Sequence, residues 1–149
     1  MRIQTKYLGE VDSNEELVIN FFSGLPGFTN ESKFMLLDLP GNPVFQILQS
    51  IITPDIAFVL TNPYHFHQDY AFELDSTVNE SLKITNEKDV TVFSIVTLKD
   101  PFENSTLNLK APIIINPTSK LGKQYILNVD NYLTKTSITQ VKSSVVRGV

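Results

Sequence analysis

Two histidines stand one residue apart in Tyr64-His65-Phe66-His67-Gln68-Asp69-Tyr70, and they are the only two in the chain. Imidazole nitrogens and a carboxylate are good ligands for zinc and similar ions. If the segment is a strand, His65, His67 and Asp69 fall on one face, because strand side chains alternate with period two. That spacing describes a small metal-dependent β-barrel enzyme with a His-x-His-x-Asp site, completed by a distant carboxylate such as Glu73 or Glu87. The competing reading is an exposed aromatic loop after Pro63 that holds no metal.

Other chemistries find less support. The chain has no Cys, which removes thiolate catalysis, disulfides and Cys-ligated zinc. No Gly-x-Ser-x-Gly elbow places a hydroxyl beside a base. The six glycines are scattered and form no phosphate-binding loop. Scattered carboxylates define no acid–base pair. Twelve basic and sixteen acidic residues give a formal charge of −4. That disfavours direct nucleic-acid binding, and no basic groove accompanies Phe66, Tyr70 and Phe72 to make a base-stacking surface. A basic protein partner fits the charge better. The residues therefore describe a binding module needing no cofactor more readily than an enzyme.

The elements that must position these residues are short strands. The 149 residues favour one domain, long enough to bury a core without staples. Arg2–Leu8 alternates, with Ile3, Thr5 and Tyr7 on one face, and Gly9–Asn14 is a polar connection. Glu16–Phe22 is a strand ending in the corner Gly24-Leu25-Pro26-Gly27-Phe28. There Pro presets the first central φ and Gly supplies a positive φ at the second, the type II pattern. Phe34–Asp38 and Val44–Ser50 follow as strands. Ile56–Leu60 is apolar on both faces, as expected of a strand covered on both sides.

Asp75 or Ser76 caps one short helix running to Leu82. Val90–Leu98 is a strong alternating strand, and Ser105–Leu109 alternates again. Ala111–Pro117 is bracketed by prolines and suits an edge or a strand start. Lys123–Val129 is the last strand expected. Asn-Pro pairs at 42–43, 62–63 and 116–117 punctuate strand ends. The pattern is all-β: a small single-domain antiparallel β-sandwich or partly open β-barrel with at most one or two short helices. One domain spans 1–133, and 134–149 reads as an extended, mobile tail. The N-terminus lacks the apolar core of a signal peptide, and runs such as Ile113–Ile115 are too short to span a bilayer. A soluble, cytoplasmic protein is expected, with no membrane contact.

Several of these segments, taken in order, resemble the flagellar assembly factor FliW family. They are Phe22–Phe28, Leu48-Gln49-Ser50, Pro54–Val59, Asn62-Pro63, Asp69-Tyr70, Asn108–Asn116 and Gln124–Leu127. The resemblance runs from Ile3 to about Leu133. It implies a cytoplasmic all-β regulator without catalytic activity that binds the translational repressor CsrA and relieves repression of flagellin mRNA. It further implies that the C-terminal region of flagellin sequesters the regulator in turn. Nothing in the sequence demands more than a monomer. The partner surface expected here is the segment after Pro63, with Phe66, Asp69, Tyr70 and Phe72, together with Phe45, Gln49 and Ile51. Large aromatics among carboxylates in turn-flanked sequence motivate that choice.

Overall fold

The structure is a computed structural model and describes residues 1–139. Eleven strands and one helix follow in order. They are β1 (Arg2–Gln4), β2 (Glu10–Asp12), β3 (Val18–Asn20), β4 (Lys33–Asp38), β5 (Phe45–Ser50), β6 (Ala57–Thr61), α1 (Ser76–Ser81), β7 (Thr91–Thr97), β8 (Thr106–Leu107), β9 (Ile113–Asn116), β10 (Leu121–Gln124) and β11 (Thr136–Ser137). β1 and β2 form a separate hairpin, and the other nine strands run β11-β8-β7-β6-β5-β4-β3-β10-β9. β9 also pairs with β7, which closes β3, β4, β5, β6, β7, β9 and β10 into a barrel. Of the two architectures expected, the barrel is the one formed, and it is closed. One pairing, β3 with β10, is parallel.

Alternation along the strands fills the interior. Phe34 on β4, Leu48 on β5, Leu60 on β6, Phe93 on β7 and Ile113 and Ile115 on β9 meet Ile19, Phe21 and Leu25 in one core. The Phe21 and Phe34 rings meet edge-on with centroids 5.4 Å apart. Gly122 makes room for them, since a Cβ there would lie 2.5 Å from the Phe21 ring. β6 is covered on both sides as expected: Phe58 and Leu60 serve the barrel, while Val59 packs outside.

The Gly24–Phe28 corner forms the expected turn. Phe28 N–H donates to the Leu25 carbonyl at 2.7 Å, and Gly27 has φ +85°. It inserts Leu25 into the core and lays Phe28 edge-on against Phe58.

Three expectations need correction, and one pair of alternatives is decided. The first strand stops at Gln4, where Thr5 turns to bond Gly9 through its N–H and hydroxyl, and Glu10–Asp12 returns as β2. Tyr7 is therefore exposed. Of the two places the prolines suit, β9 shows the strand start and not the edge: Pro112 directly precedes Ile113–Asn116, whose N–H groups are left for both neighbours. The expected Lys123–Val129 strand is instead Leu121–Gln124. Tyr125 then lies opposite Pro112, which accepts its N–H but has none to return. Finally, the segment after Thr134 begins docked: β11 pairs with β8, and Ile138 is fully buried. Residues 140–149 of the expected tail lie outside the described residues.

Outside the barrel wall sits a second layer made by the segment 62–90 and by 125–138. Tyr70, Leu109, Leu127 and Ile138 pack there on Val96 and Leu107. Val78 of α1 and Leu82 at its C-terminal cap pack on Ile114 and Leu121.

Candidate functional site

The segment expected to carry chemistry follows β6 and winds as a series of turns. The Asn62 side chain accepts the Tyr64 N–H at 2.9 Å and caps a 3-10 turn, Pro63–His65. Phe66 and His67 N–H groups both reach back to the Pro63 carbonyl, and Tyr70 N–H to that of His67. Pro at the first turn position favours this winding and has no N–H to give a strand neighbour. His65, His67 and Asp69 therefore do not share a strand face. The His65 ring stands edge-on to Phe66, at 5.0 Å between centroids. His67 Nε2 donates to the Ser137 carbonyl at 2.8 Å. Among the described residues no three His, Cys, Asp or Glu gather where a metal could bind. The premise of the His-x-His-x-Asp reading thus fails on backbone geometry.

Tyr70 is the hub of the layer. It is buried, and its hydroxyl donates to the Leu109 carbonyl at 2.7 Å. Tyr132, Phe72 and Tyr64 surround its ring at 4.7, 5.3 and 5.6 Å. Burial, and then the neighbouring phenols of Tyr64 and Tyr132, push its hydroxyl well above the usual tyrosine range. Tyr64 is raised for the same reasons, burial first and Tyr132 second. The Tyr132 hydroxyl accepts the Ala71 N–H and donates to the Ala71 carbonyl, both at 3.0 Å.

The seven residues expected at the partner surface divide. Tyr70, Phe72, Phe45 and Phe66 come together in the outer layer, Phe45 and Phe66 stacking at 6.4 Å. Phe45, Tyr70 and Gln49 are buried, Phe66, Phe72 and Ile51 half-buried, and Asp69 exposed. Gln49 is tied up elsewhere: its Oε1 accepts the Lys6 N–H at 3.0 Å, and its Nε2 donates to the Pro54 carbonyl at 3.0 Å. It pins the N-terminal segment to the β5–β6 turn. Ile51 follows β5 and donates its N–H to the Lys33 carbonyl.

The feature that residue-by-residue reading missed is a cleft of about 610 Å³ between the outer layer and the loop after α1. Phe72, Leu74, Ile84, Val90 and Val92 give it an apolar lining, and Tyr64 belongs to its wall. Its polar lining is Glu73, Asn79, Thr85, Asn86 and Glu87. Local hydrogen bonds set this frame. Asp75 accepts the Val78 N–H at 2.9 Å and starts the helix. Buried Asn116 donates to the Leu82 carbonyl at 2.8 Å and fastens the helix end to the barrel. Asp89 accepts from the Thr85 N–H and hydroxyl at 2.9 Å and from the Asn86 N–H at 3.3 Å. Those bonds, the Thr85 backbone N–H foremost, hold the Asp89 carboxyl below its ordinary range.

A signal for this cleft was present in the charge pattern. Residues 69–89 carry six carboxylates and two lysines, and the rest of the chain carries ten of each sign. The segment that builds the cleft is thus net negative, as are residues 10–31, which carry five carboxylates and no lysine or arginine.

These features define a single-domain closed mixed β-barrel that carries an aromatic outer layer and an acidic, apolar-floored cleft. The chain matches the FliW protein family over residues 2–138 and belongs to that family. The flagellar assembly factor FliW of Oceanobacillus iheyensis is 50% identical over 138 residues, covering 93% of this chain and 94% of that one. The Bacillus subtilis factor is 43% identical over 138 residues, covering 93% and 96%. A crystal structure of the flagellar assembly factor FliW superposes with a TM-score of 0.90 at 43% identity, covering 94% of this chain and 98% of that one.

Proposed function

We propose that this chain is a non-catalytic regulator of flagellar assembly that binds the RNA-binding repressor CsrA in the cytoplasm and frees flagellin mRNA for translation. Flagellin, through its C-terminal region, occupies the regulator in turn and returns the repressor to its message. The observation that carries the reading is the cleft, an apolar floor within a segment, 69–89, that carries six carboxylates and two lysines. An RNA-binding partner is cationic where it holds phosphate. An acidic surface accelerates its encounter and, once docked, repels RNA. The regulator acts as a monomer in this scheme.

Calorimetric titration of the protein into CsrA, with and without a flagellin C-terminal segment, tests it. Saturable binding that the flagellin segment abolishes is the expected result. A folded protein that binds neither partner overturns it.

A further inference from the structure

We propose that the cleft takes a basic amphipathic protein segment, its apolar side chains on Phe72, Ile84 and Val92 and its lysine or arginine side chains against Glu73 and Glu87. This rests on the regulatory reading above and specifies which chemistry of the partner the site selects. The floor is apolar and the rim carries two carboxylates, with no lysine or arginine among the lining residues. An acidic or phosphorylated segment meets like charge there, and so does a nucleic acid. A wholly apolar segment would cover the exposed Glu73 and Glu87 with apolar groups and strip water from them, which costs free energy. A segment that is apolar on one side and basic on the other satisfies both. Long lysine and arginine stems suit such a site, since they lie on apolar surface while the charged head reaches the rim.

The surrounding charge strengthens the choice. Within the same segment, Asp69, Asp75, Glu80 and Asp89 add to the two rim carboxylates, with Lys83 and Lys88 opposing them. Asn79 lines the same cleft and can both donate to and accept from a peptide group.

The test uses the full chain and two synthetic 18-residue helical peptides, one of Leu and Lys and one of Leu and Glu, followed by fluorescence anisotropy. The Leu/Lys peptide is expected to bind saturably and the Leu/Glu peptide not at all. The double variant Glu73→Gln/Glu87→Gln should weaken Leu/Lys binding about three- to tenfold, from two partly exposed ion pairs. Glu15→Gln/Glu16→Gln makes the same charge change at exposed residues outside the cleft and should leave binding unchanged. Equal weakening by both double variants, equal binding of both peptides, or no saturable binding overturns the proposal. CsrA titrated in parallel separates the two readings. If CsrA binds wild type and Glu73→Gln/Glu87→Gln alike, the cleft proposal fails and the regulatory reading stands. If folded wild type binds neither CsrA nor flagellin, the regulatory reading fails whatever the peptides do.

Discussion

The barrel interior and the layer outside it are both hydrophobic clusters, yet they are built on different terms. Inside, Phe34, Leu48 and Leu60 lie on a closed ladder of strands that pair backbone to backbone, with Phe21 just after β3. Outside, Tyr70, Phe72, Phe66 and Tyr132 lie off the strands, where short turn bonds and single side chains satisfy the polar groups one at a time. The inner cluster specifies the fold and presents nothing to solvent. The outer one borders the cleft and leaves Tyr64 and Phe72 partly open to whatever lies there. If the proposed cleft is where partners bind, stability and recognition belong to separate parts of the molecule, and substitutions should tell them apart.

The largest effect is expected in the barrel. Phe34 is fully buried and packs on Phe21 and Phe58. Phe34→Ala should cost about 3–5 kcal/mol in urea unfolding, the usual penalty for a large aromatic replaced by a cavity. Whatever fraction remains folded should bind partners as wild type does. Loss of affinity in protein shown to be folded would mean that barrel and cleft are coupled. Gly122→Ala sharpens the same point from the opposite direction. Its Cβ would press into the Phe21 ring, which is itself wedged against Phe34, so overpacking should cost about 1–3 kcal/mol. Unchanged stability would show that the ring has room to shift.

The same division explains what could be read from sequence. β4, β5, β6 and β7 lie within a residue or two of the stretches expected, because their side chains alternate between two apolar faces and that period survives into the structure. The Asp75 cap and the Pro26-Gly27 turn were legible because each depends on the local chemistry of a few residues. The outer layer lacks any such period. His65, His67 and Asp69 look alternate on paper, but Pro63 and the Asn62 cap wind them into turns before a strand can form. Phe45, Phe66, Tyr70 and Phe72, expected at a partner surface, assemble into one cluster. Gln49 shows the limit: its amide is consumed by Lys6 and Pro54, and the Lys6 contact spans 43 residues, which no local pattern encodes. The cleft likewise depends on where α1 docks, a matter of long-range contacts through Asn116.

In the outer layer the expected costs are smaller. Tyr70→Phe keeps the ring but leaves the Leu109 carbonyl without its donor, which should cost about 1–3 kcal/mol. The pH dependence makes the assignment specific. Burial favours the neutral phenol, so the folded protein raises the pKa above the unfolded value. The stability this contributes is complete below about pH 10, the ordinary tyrosine pKa, and is lost as pH rises beyond it. Wild type should therefore lose stability in alkali more steeply than Tyr70→Phe. Parallel curves would assign the alkaline loss to other groups.

The smallest effect concerns the histidine that first suggested a metal. A carbonyl can only accept, so the bond from His67 Nε2 to Ser137 needs a proton on that nitrogen and leaves no lone pair there for a metal. The bond ties the turn after Pro63 to β11, a strand of two residues at the end of the sheet. His67→Ala removes one hydrogen bond from a part-buried site, worth about 0.5–1.5 kcal/mol. Amide exchange should report it locally, with faster exchange at Ile138, whose N–H donates to Ser105 beside β8, and little change at Leu48 or Leu60 in the barrel. His67→Gln, which keeps a donor, should restore part of the protection. Faster exchange spread evenly through both clusters would show instead that β11 is integral to the barrel, and the separation of the two regions would have to be given up.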